Sequence, residues 1–223
     1  MKKYIFIPVL NRTDLLESAV KSIKDIGCNI RIIDVSGDGS IYQETHRIAS
    51  KYGCNVVTKE ARTPFNVVQN EARNYAISGE YDYYMFMHND GEYVDKRHIE
   101  KLIDFIEHTD FEKMGAVFTN YDVLCAYNTK AMQKVGMWDS FLQQYFADND
   151  MYYRLELAGY EIIYSGFEVL HNNGNASATI RSDSKLNFVN GITFPLLAQY
   201  YFAKWGGKPH EEKFTKPFNS EVI

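Results

Sequence analysis

The stretch that decides the fold is YDYYMFMHNDGEYV, residues 81–94. Its first half is aromatic and apolar, which is typical of a buried strand. The run stops at His88, Asn89, Asp90 and Gly91, where polar side chains and a glycine crowd together. In a parallel α/β sheet, ligands bind just beyond the carboxyl ends of the strands. The stretch therefore predicts a strand with a functional site at its end.

The residues before this stretch alternate between strand and helix patterns. Strands are predicted over KYIFIPV (3–9), NIRIIDVS (29–36) and CNVVTKE (54–60). One helix is predicted to begin at Thr13, and a second, after the second strand, is predicted to end at about Lys51. A third is predicted over FNVVQNEARNYAISG (65–79). This alternation predicts an α/β fold with a mostly parallel sheet flanked by helices, in which four strand ends converge on one crevice.

After Gly91 the pattern is less regular. We expect a helix near residues 96–108, a strand over MGAVFTNYDV (114–123), a helix from Thr129 and a helix that ends at about Ala158. Residues 181–223 look like an appended helix and tail. The sequence thus predicts a single domain with a C-terminal helical extension.

Composition narrows the class of protein. The chain has 223 residues, a formal charge of -5 and no long basic run, which argues against a dedicated nucleic-acid-binding surface. Its three cysteines are widely spaced and predict neither disulfides nor a zinc site. No apolar run is long enough for a transmembrane segment, so we expect a soluble, cytoplasmic protein.

Three aspartates could carry chemistry. Asp90 ends a predicted strand, where one carboxylate with phosphate oxygens and water can hold Mg²⁺ or Mn²⁺; the alternative is a simple Asp-Gly turn. Asp148 lies where a helix N-cap is expected, and a carboxylate held there could accept a proton from a hydroxyl. Asp150 lies four residues before Arg154, which favours a helical ion pair.

Two histidines and one arginine have two interpretations each. His171 ends a strand-like run and could bind a metal ion through a ring nitrogen, although a lone histidine is more often structural. The same holds for His88. Arg73 falls on a predicted helix, where it is either solvated or directed into the crevice to pair with Asp90 or an anionic ligand.

Other nucleotide-binding and hydrolase classes lose support. The sequence contains neither G-x-x-x-x-G-K-[ST] nor G-x-G-x-x-G, which disfavours P-loop proteins and dinucleotide-binding Rossmann proteins. It also lacks G-x-S-x-G, so an ordinary α/β-hydrolase is disfavoured.

Taken in order, the segments of residues 4–177 resemble the family-2 glycosyltransferases with the GT-A fold. IFIPVLNRTDLLESAVKSI (5–23) resembles the first strand and helix of that family, IRIIDVSGDGS (30–40) its second strand, and NEARNYAI (70–77) its Ala-Arg-Asn helix. YDYYMFMHND (81–90) resembles the strand with the metal-binding D-x-D motif, with His88 at the first motif position. VGMWDSFLQQYFADNDMYYRLELAGYEIIYSGFEVLHNNGNAS (135–177) resembles the acceptor-side signature, with Ala147 in place of a glutamate.

This resemblance implies a metal-dependent, inverting glycosyltransferase. Its donor would be a UDP-, dTDP- or GDP-sugar, its acceptor a hydroxyl on a glycan or glycolipid, and its cofactor Mn²⁺ or Mg²⁺. Asp148 would be the general base, and Asp90 and His171 metal ligands, with His88 as a further candidate. The implied donor-binding residues are Pro8, Asn11, Arg12, Asp34, Ser36, Arg73, Asn89 and Asp90. The implied acceptor-side residues are Trp138, Asp139 and Asp150.

The same resemblance divides the chain. We expect a domain over residues 1–180, with a nucleotide-sugar-binding half (1–90) and an acceptor and catalytic half (91–180). Residues 181–223 should pack on it and shape the acceptor site; their alternative role is a weak contact with a membrane surface or a partner through Trp205 and Lys208.

Two other functions stay open. One is a GT-A-like module that binds a nucleotide or glycan without turning it over, which the substitutions at His88 and Ala147 favour. The other is a nucleotidyltransferase. That class should carry a Gly-rich, Arg-containing loop after the first strand, where this chain has PVLNRTD (8–14).

Overall fold

The computed structural model describes residues 1–94, 99–171 and 177–220. Up to Met87, strands and helices alternate as predicted: β1 (Lys3–Val9), α1 (Thr13–Ile23), β2 (Asn29–Asp34), α2 (Gly39–Tyr52), β3 (Asn55–Thr58), α3 (Phe65–Ser78) and β4 (Tyr83–Met87). The later elements are β5 (Gly91–Tyr93), α4 (Glu100–Glu107), β6 (Met114–Thr119), β7 (Tyr121–Asn128), α5 (Thr129–Val135), α6 (Ala147–Leu157), β8 (Glu161–Tyr164), β9 (Val169–His171), α7 (Ala178–Ser182) and α8 (Ser184–Trp205). Part of the helix predicted near residues 96–108 lies outside the described residues.

Seven strands form one sheet in the order β3-β2-β1-β4-β7-β6-β8. The first four strands of this order pair in parallel, and β8 is parallel to β6. β7 runs antiparallel to both of its neighbours, β4 and β6. The sheet is therefore mostly parallel, which confirms the predicted α/β fold class, and the carboxyl ends of β1, β2, β3 and β4 meet at one edge.

Strand residues alternate between two apolar cores, one on each face of the sheet. Ile5 and Ile7 pack with α1, α2 and α4, whereas Tyr4 and Phe6 pack with α3, α5, α6 and α8. The helical spacing of Leu15, Leu16, Ala19, Val20 and Ile23 predicts the buried side of α1, and the structure buries all of these residues except Leu15, which is partly exposed. Asp38 caps α2 by accepting hydrogen bonds from the backbone N–H groups of Ser40 and Ile41.

The single strand predicted over residues 114–123 is wrong. The chain reverses at Asn120, so that Thr119 pairs with Tyr121 and two antiparallel strands, β6 and β7, replace the one. Tyr121 turns the chain with a φ of 75°, in the left-handed region. The polar Asn-Tyr-Asp triplet inside an apolar run marks this turn, which therefore lies at the same edge of the sheet as Asp90.

A separate two-stranded ribbon crosses this edge. β5 pairs antiparallel with β9, with Gly91 opposite His171. A Cβ on Gly91 would lie 3.0 Å from Val123 Cγ1 and 3.2 Å from the carbonyl oxygen of His88, so a larger residue there would have to displace these neighbours slightly. This pairing places His171 opposite Gly91, the residue that follows Asp90 in the chain.

The C-terminal segment packs on the domain through α8. Leu197, Tyr201 and Trp205 are buried in the core that also contains α6. Among residues 1–94, 99–171 and 177–220, none of the helices combines the length and apolarity needed to cross a bilayer.

Candidate active site at the strand ends

The ends of β1 and β4 are joined by asparagine side chains and covered by α7. Asn89 Nδ2 donates to the carbonyl oxygen of Asn11 at 2.9 Å, and Asn11 Nδ2 donates to that of Thr179 at 3.1 Å. Thr179 Oγ1 in turn donates to Asn89 Oδ1 at 3.0 Å. The predicted donor residues Asn11 and Asn89 therefore form one network at the crevice.

Asp90, His171 and His88 converge in this crevice. One ligand atom from each lies within 4.8 Å of the others. Asp90 is 4% exposed, and its Oδ2 accepts a hydrogen bond from the backbone N–H of Ala178 at 2.7 Å. Asp90 Oδ1 lies 3.1 Å from His171 Nε2, yet neither atom makes a well-aligned hydrogen bond with any described residue. A buried acceptor and an imidazole nitrogen thus face each other without a regular bond.

Burial and neighbouring groups shift the pKa values of His88 and Asp90. Burial, together with the neighbouring His171, lowers the pKa of His88 to about 4. Burial by itself would raise the pKa of Asp90, but His171, His88 and the Ala178 N–H lower it to about 2. At neutral pH the His88 imidazole is therefore neutral and the Asp90 carboxylate is ionised, as metal ligation requires.

The donor set also fits a metal ion chemically. One carboxylate and two imidazoles suit a transition-metal ion such as Mn²⁺ better than Mg²⁺, which prefers oxygen ligands. Asn120 holds the strand that carries His171, because its amide donates to the carbonyl oxygen of Val169 at 2.7 Å and accepts from the Val169 N–H at 3.0 Å. The fit rests on Asp90 Oδ1 and His171 Nε2, which lack aligned partners among the described residues.

Asp148 lies in the first turn of α6, facing the turn between β6 and β7. Phe146, with a φ of 64°, occupies the N-cap position, so the expectation that Asp148 is the N-cap is wrong. Asp148 Oδ2 accepts a hydrogen bond from the Tyr121 hydroxyl at 3.1 Å. Burial and the charge of Asp122 raise the pKa of Asp148 to about 6. Such a pKa suits a general base that works near neutral pH.

Asp122 is a site residue that the sequence analysis missed. It is 7% exposed, and its Oδ2 accepts a hydrogen bond from Tyr152 at 2.8 Å. The Tyr152 hydroxyl also lies 3.1 Å from that of Tyr127. Burial raises the pKa of Asp122. The polar triplet at residues 120–122 was the available signal, but the prediction of a continuous strand concealed it.

The remaining predicted donor residues lie along β1 and β2. Asp34 is 1% exposed at the end of β2; its Oδ1 accepts from the Ser36 N–H at 2.8 Å, and its Oδ2 has no partner among the described residues. Pro8 pairs in register with Ile33 one residue before the end of β1. Arg12, just beyond that strand, forms an exposed ion pair with Asp14 at 2.7 Å.

Arg73 does not join the crevice. Its Nε donates to the carbonyl oxygen of Met132 at 2.9 Å, and its other nitrogens donate to Gln133 and to the side chain of Asn74. The guanidinium thus links α3 to α5, and among the described residues it does not pair with Asp90. The helix turns this residue toward α5 rather than toward the strand ends.

The predicted acceptor-side residues anchor α8 instead of lining the crevice. Lys204 Nζ lies 2.6 Å from Asp139 Oδ2 and 2.6 Å from Asp150 Oδ1. Asp150 is fully buried and also accepts from Trp205 Nε1 at 2.9 Å, and it forms the ion pair with Arg154 that the sequence predicts.

The neighbouring aromatic residues are also committed to packing. Trp138 is 1% exposed and packs edge-on against Phe65 and Tyr127. Trp205 is 1% exposed, which leaves it no surface for the suggested membrane contact. Lys208 is exposed and pairs with Glu211 at 3.2 Å.

Solved structures with the same fold come from several glycosyltransferases. A mannosyltransferase from Pyrobaculum calidifontis, PcManGT, solved with GDP-Man and Mn²⁺, is 13% identical, with a TM-score of 0.57 over 73% of this chain and 54% of its own. GalNAc-T7, solved with UDP, GalNAc and Mn²⁺, is 10% identical, with a TM-score of 0.60 over 91% of this chain and 50% of its own.

A third similar structure is TarS 1–349 of S. aureus with UDP-GlcNAc, which is 11% identical, with a TM-score of 0.57 over 95% of this chain and 74% of its own. At these identities the likeness shows the fold, which is GT-A. The chain spans about half the length of the mannosyltransferase and of GalNAc-T7.

No curated protein sequence matches the chain. The model of the family described as Glycosyl transferase family 2 matches residues 4–162, well over half of the chain. With the GT-A fold this confirms the predicted family: the chain belongs to glycosyl transferase family 2.

Proposed function

We propose that this protein transfers a sugar from a nucleoside-diphosphate sugar to an acceptor hydroxyl, with inversion at the anomeric carbon and Asp148 as the general base. The observation that carries the proposal is the pairing, at one edge of the sheet, of a histidine and aspartate cluster with a separate carboxylate of raised pKa. The first can hold a divalent ion and the second can accept a proton.

The donor would bind over the ends of β1, β2 and β4. Asp34 offers a buried carboxylate oxygen without a partner among the described residues, and Asn11 Oδ1 is likewise unpaired among them. Both are suited to N–H or O–H groups of a nucleoside. This arrangement supports residues 1–90 as the donor half and 91–180 as the half that carries the base, with 181–223 as the packed extension.

Asp90, His171 and His88 would hold the divalent ion, and Mn²⁺ fits their donor set better than Mg²⁺. When bound, such an ion supplies positive charge against the diphosphate of the donor. The similar structures with GDP-Man, UDP and Mn²⁺ support this class of donor and ion.

The chemistry that we assign to the chain's own residues is proton transfer at Asp148. The acceptor oxygen attacks the anomeric carbon and forms the new C–O bond, while the bond to the diphosphate oxygen breaks and its electron pair leaves with the nucleoside diphosphate. The acceptor proton moves to the ionised Asp148 carboxylate, which becomes a neutral acid. Attack on the face opposite the leaving group gives inversion.

The test is donor turnover with water in place of the acceptor. Release of nucleoside diphosphate from UDP-, dTDP- and GDP-sugars is measured with Mn²⁺ for the wild type and Asp148→Asn, with the exposed Asp25→Asn as matched control. We expect one donor to be hydrolysed, and only Asp148→Asn to lose turnover while still binding the nucleotide. Wild-type turnover by Asp148→Asn would remove the base assignment. Donor binding without turnover by the wild type would favour the binding module.

A further inference from the structure

Two exposed tyrosines at the carboxyl edge of the sheet share one buried support, Phe118, and one of them, Tyr121, contacts Asp148. Tyr121 is 43% exposed and Tyr164 is 63% exposed. Phe118 is 2% exposed and meets Tyr121 edge-on with centroids 5.8 Å apart, and Tyr164 edge-on at 5.6 Å. Both tyrosines lie at the carboxyl edge of the sheet, because Tyr164 ends β8 and Tyr121 opens the strand that returns from β6. We call Tyr121 and Tyr164 the tyrosine patch.

The backbone of Tyr121 is strained, which marks the turn as more than a connection. A φ of 75° suits glycine or asparagine, and a tyrosine persists there only when its surroundings hold it. Those surroundings are defined on both sides. Asn120 grips the backbone of Val169 in the strand of His171, and the Tyr121 hydroxyl donates to Asp148. One short turn therefore fixes a strand of the metal cluster and the carboxylate of the base.

We propose that the tyrosine patch is the acceptor subsite, on which the apolar face of a neutral sugar ring lies so that one of its hydroxyls meets Asp148. The argument is geometric: the Tyr121 hydroxyl is bonded to Asp148 and its ring is open to solvent, so a ring that delivers a hydroxyl to Asp148 must lie against Tyr121. Flat aromatic faces beside a few directed polar groups are the usual lining of such sites. This inference rests on the proposed function.

The charge around the patch selects a neutral acceptor over a nucleic acid. Tyr121 is bonded to Asp148 and is followed in the chain by the buried Asp122, and Asp90 lies in the same crevice. Among the described residues, no lysine or arginine forms an ion pair with any of these three carboxylates. A stacked nucleobase would bring its phosphates toward this acidic group, whereas a neutral glycan brings hydroxyls that the carboxylates accept.

Tyr121 also acts on Asp148 as a positioning residue. Its hydroxyl donates to Asp148 Oδ2 at 3.1 Å. The ring and the hydroxyl therefore have separable roles. The ring supports the acceptor, and the hydroxyl holds one carboxylate oxygen in place.

The experiment measures binding to an array of neutral oligosaccharides and single-stranded oligonucleotides, with the protein loaded with Mn²⁺ and its preferred nucleoside diphosphate. The variants are Tyr121→Ala, Tyr164→Ala and Tyr121→Phe, with Tyr42→Ala on α2 as the control because Tyr42 is also 43% exposed. We expect neutral glycans to bind, and each alanine variant of the patch to weaken binding about tenfold or more. Tyr121→Phe should bind glycan like the wild type but turn over about tenfold more slowly.

Several outcomes would overturn the proposal. These are oligonucleotide binding without glycan binding, no binding to any neutral glycan, or patch variants that bind glycan like Tyr42→Ala. Nucleotide-induced thermal stabilisation with Mn²⁺, measured on the same samples, keeps the two proposals apart. If it persists while the patch variants have no effect, the acceptor subsite is wrong and the donor site stands; if it is absent from the wild type, the proposed function itself fails.

Discussion

Two acidic clusters lie in this domain, and they differ in what neutralises them. In the crevice, Asp90, Asp122 and Asp148 are bonded by histidine, tyrosine and backbone groups, and no described lysine or arginine pairs with them. Below α8, Asp139 and Asp150 share the ammonium group of Lys204, and Asp150 also pairs with Arg154.

This difference is what favours a functional role for the crevice cluster and a structural role for the cluster below α8. Burying a carboxylate is costly unless a cation or good hydrogen bonds compensate it. In the cluster below α8, which we call the α8 anchor, Lys204 and Arg154 neutralise the carboxylates of Asp139 and Asp150. This cluster therefore needs no cation from outside the chain. The crevice keeps its negative charge, which favours a site for a cationic ligand and for a proton. Exposure alone would not distinguish them, because Asp90 and Asp150 are both buried.

The largest effect should come from the base. Asp148→Asn keeps the shape of the side chain but removes its proton acceptor, so turnover should fall about 10²- to 10⁴-fold. Metal-dependent nucleotide binding should be unchanged, because Asp148 is not part of the cluster of His88, Asp90 and His171. Steady-state rates and nucleotide titrations on the same preparation check both parts. Equal losses of binding and turnover would contradict the division of roles.

The α8 anchor should respond in stability rather than in function. Lys204→Met leaves the buried Asp150 and the partly buried Asp139 without their shared cation, which should cost about 3–5 kcal/mol in the free energy of unfolding. Denaturant unfolding measures this loss, and nucleotide binding of the folded fraction should persist.

The matched control is Lys51→Met, which removes a surface ion pair to Glu17 and should leave the free energy of unfolding nearly unchanged. A Lys204→Met protein that is as stable as the wild type but fails to bind nucleotide would contradict the structural role of the cluster below α8.

The choice of metal ion should show a smaller effect. Because two of three ligands are imidazoles, Mn²⁺ should support nucleotide binding at least about tenfold better than Mg²⁺. His88→Asp, which restores an oxygen ligand, should narrow this preference. Calorimetric titrations of each ion with nucleotide measure the ratio. Equal affinities in the wild type would show that the histidines do not bind the ion.

The smallest effect concerns pH. Asp148 is active when ionised, so turnover should rise as pH increases through its pKa of about 6. Asp122→Asn removes a neighbouring negative charge that raises this pKa, so the acidic limb should move to lower pH. The pH profile of kcat/KM for both proteins checks the shift, with Asp110→Asn as an exposed control. An unmoved limb would show that Asp122 does not act on Asp148.

Much of the fold follows from the sequence, because hydrophobic spacing and strand–helix alternation are local signals. They predicted β1 to β4, the buried side of α1 and the convergence of the strand ends. The meeting of Asp90 with His171 depends on the β5–β9 register, which joins distant parts of the chain. The family resemblance implied that Asp90 and His171 are both metal ligands. The residues alone did not decide between a structural and a metal-binding role for His171.

Most of the wrong predictions share one cause, which is that the sequence does not show the direction in which a side chain points. The sequence gives no sign that Arg73 faces α5, or that Asp139 and Asp150 face Lys204, since neither contact is local. The sequence analysis missed Asp122 because the apolar residues on both sides of residues 120–122 predicted one continuous strand where the chain makes a tight turn. The cytoplasmic location stays a prediction from composition.

The most direct test of the central claim is calorimetric titration of UDP, dTDP and GDP into the wild type and Asp90→Asn, with Mn²⁺ and with chelator. Asp90→Asn removes the charge of the crevice ligand and keeps its volume. The account predicts that one nucleotide binds the wild type only with Mn²⁺ and that Asp90→Asn loses at least about 10²-fold in affinity. Binding that is equal with chelator, or unaffected by Asp90→Asn, would show that Asp90 does not hold an ion for the donor.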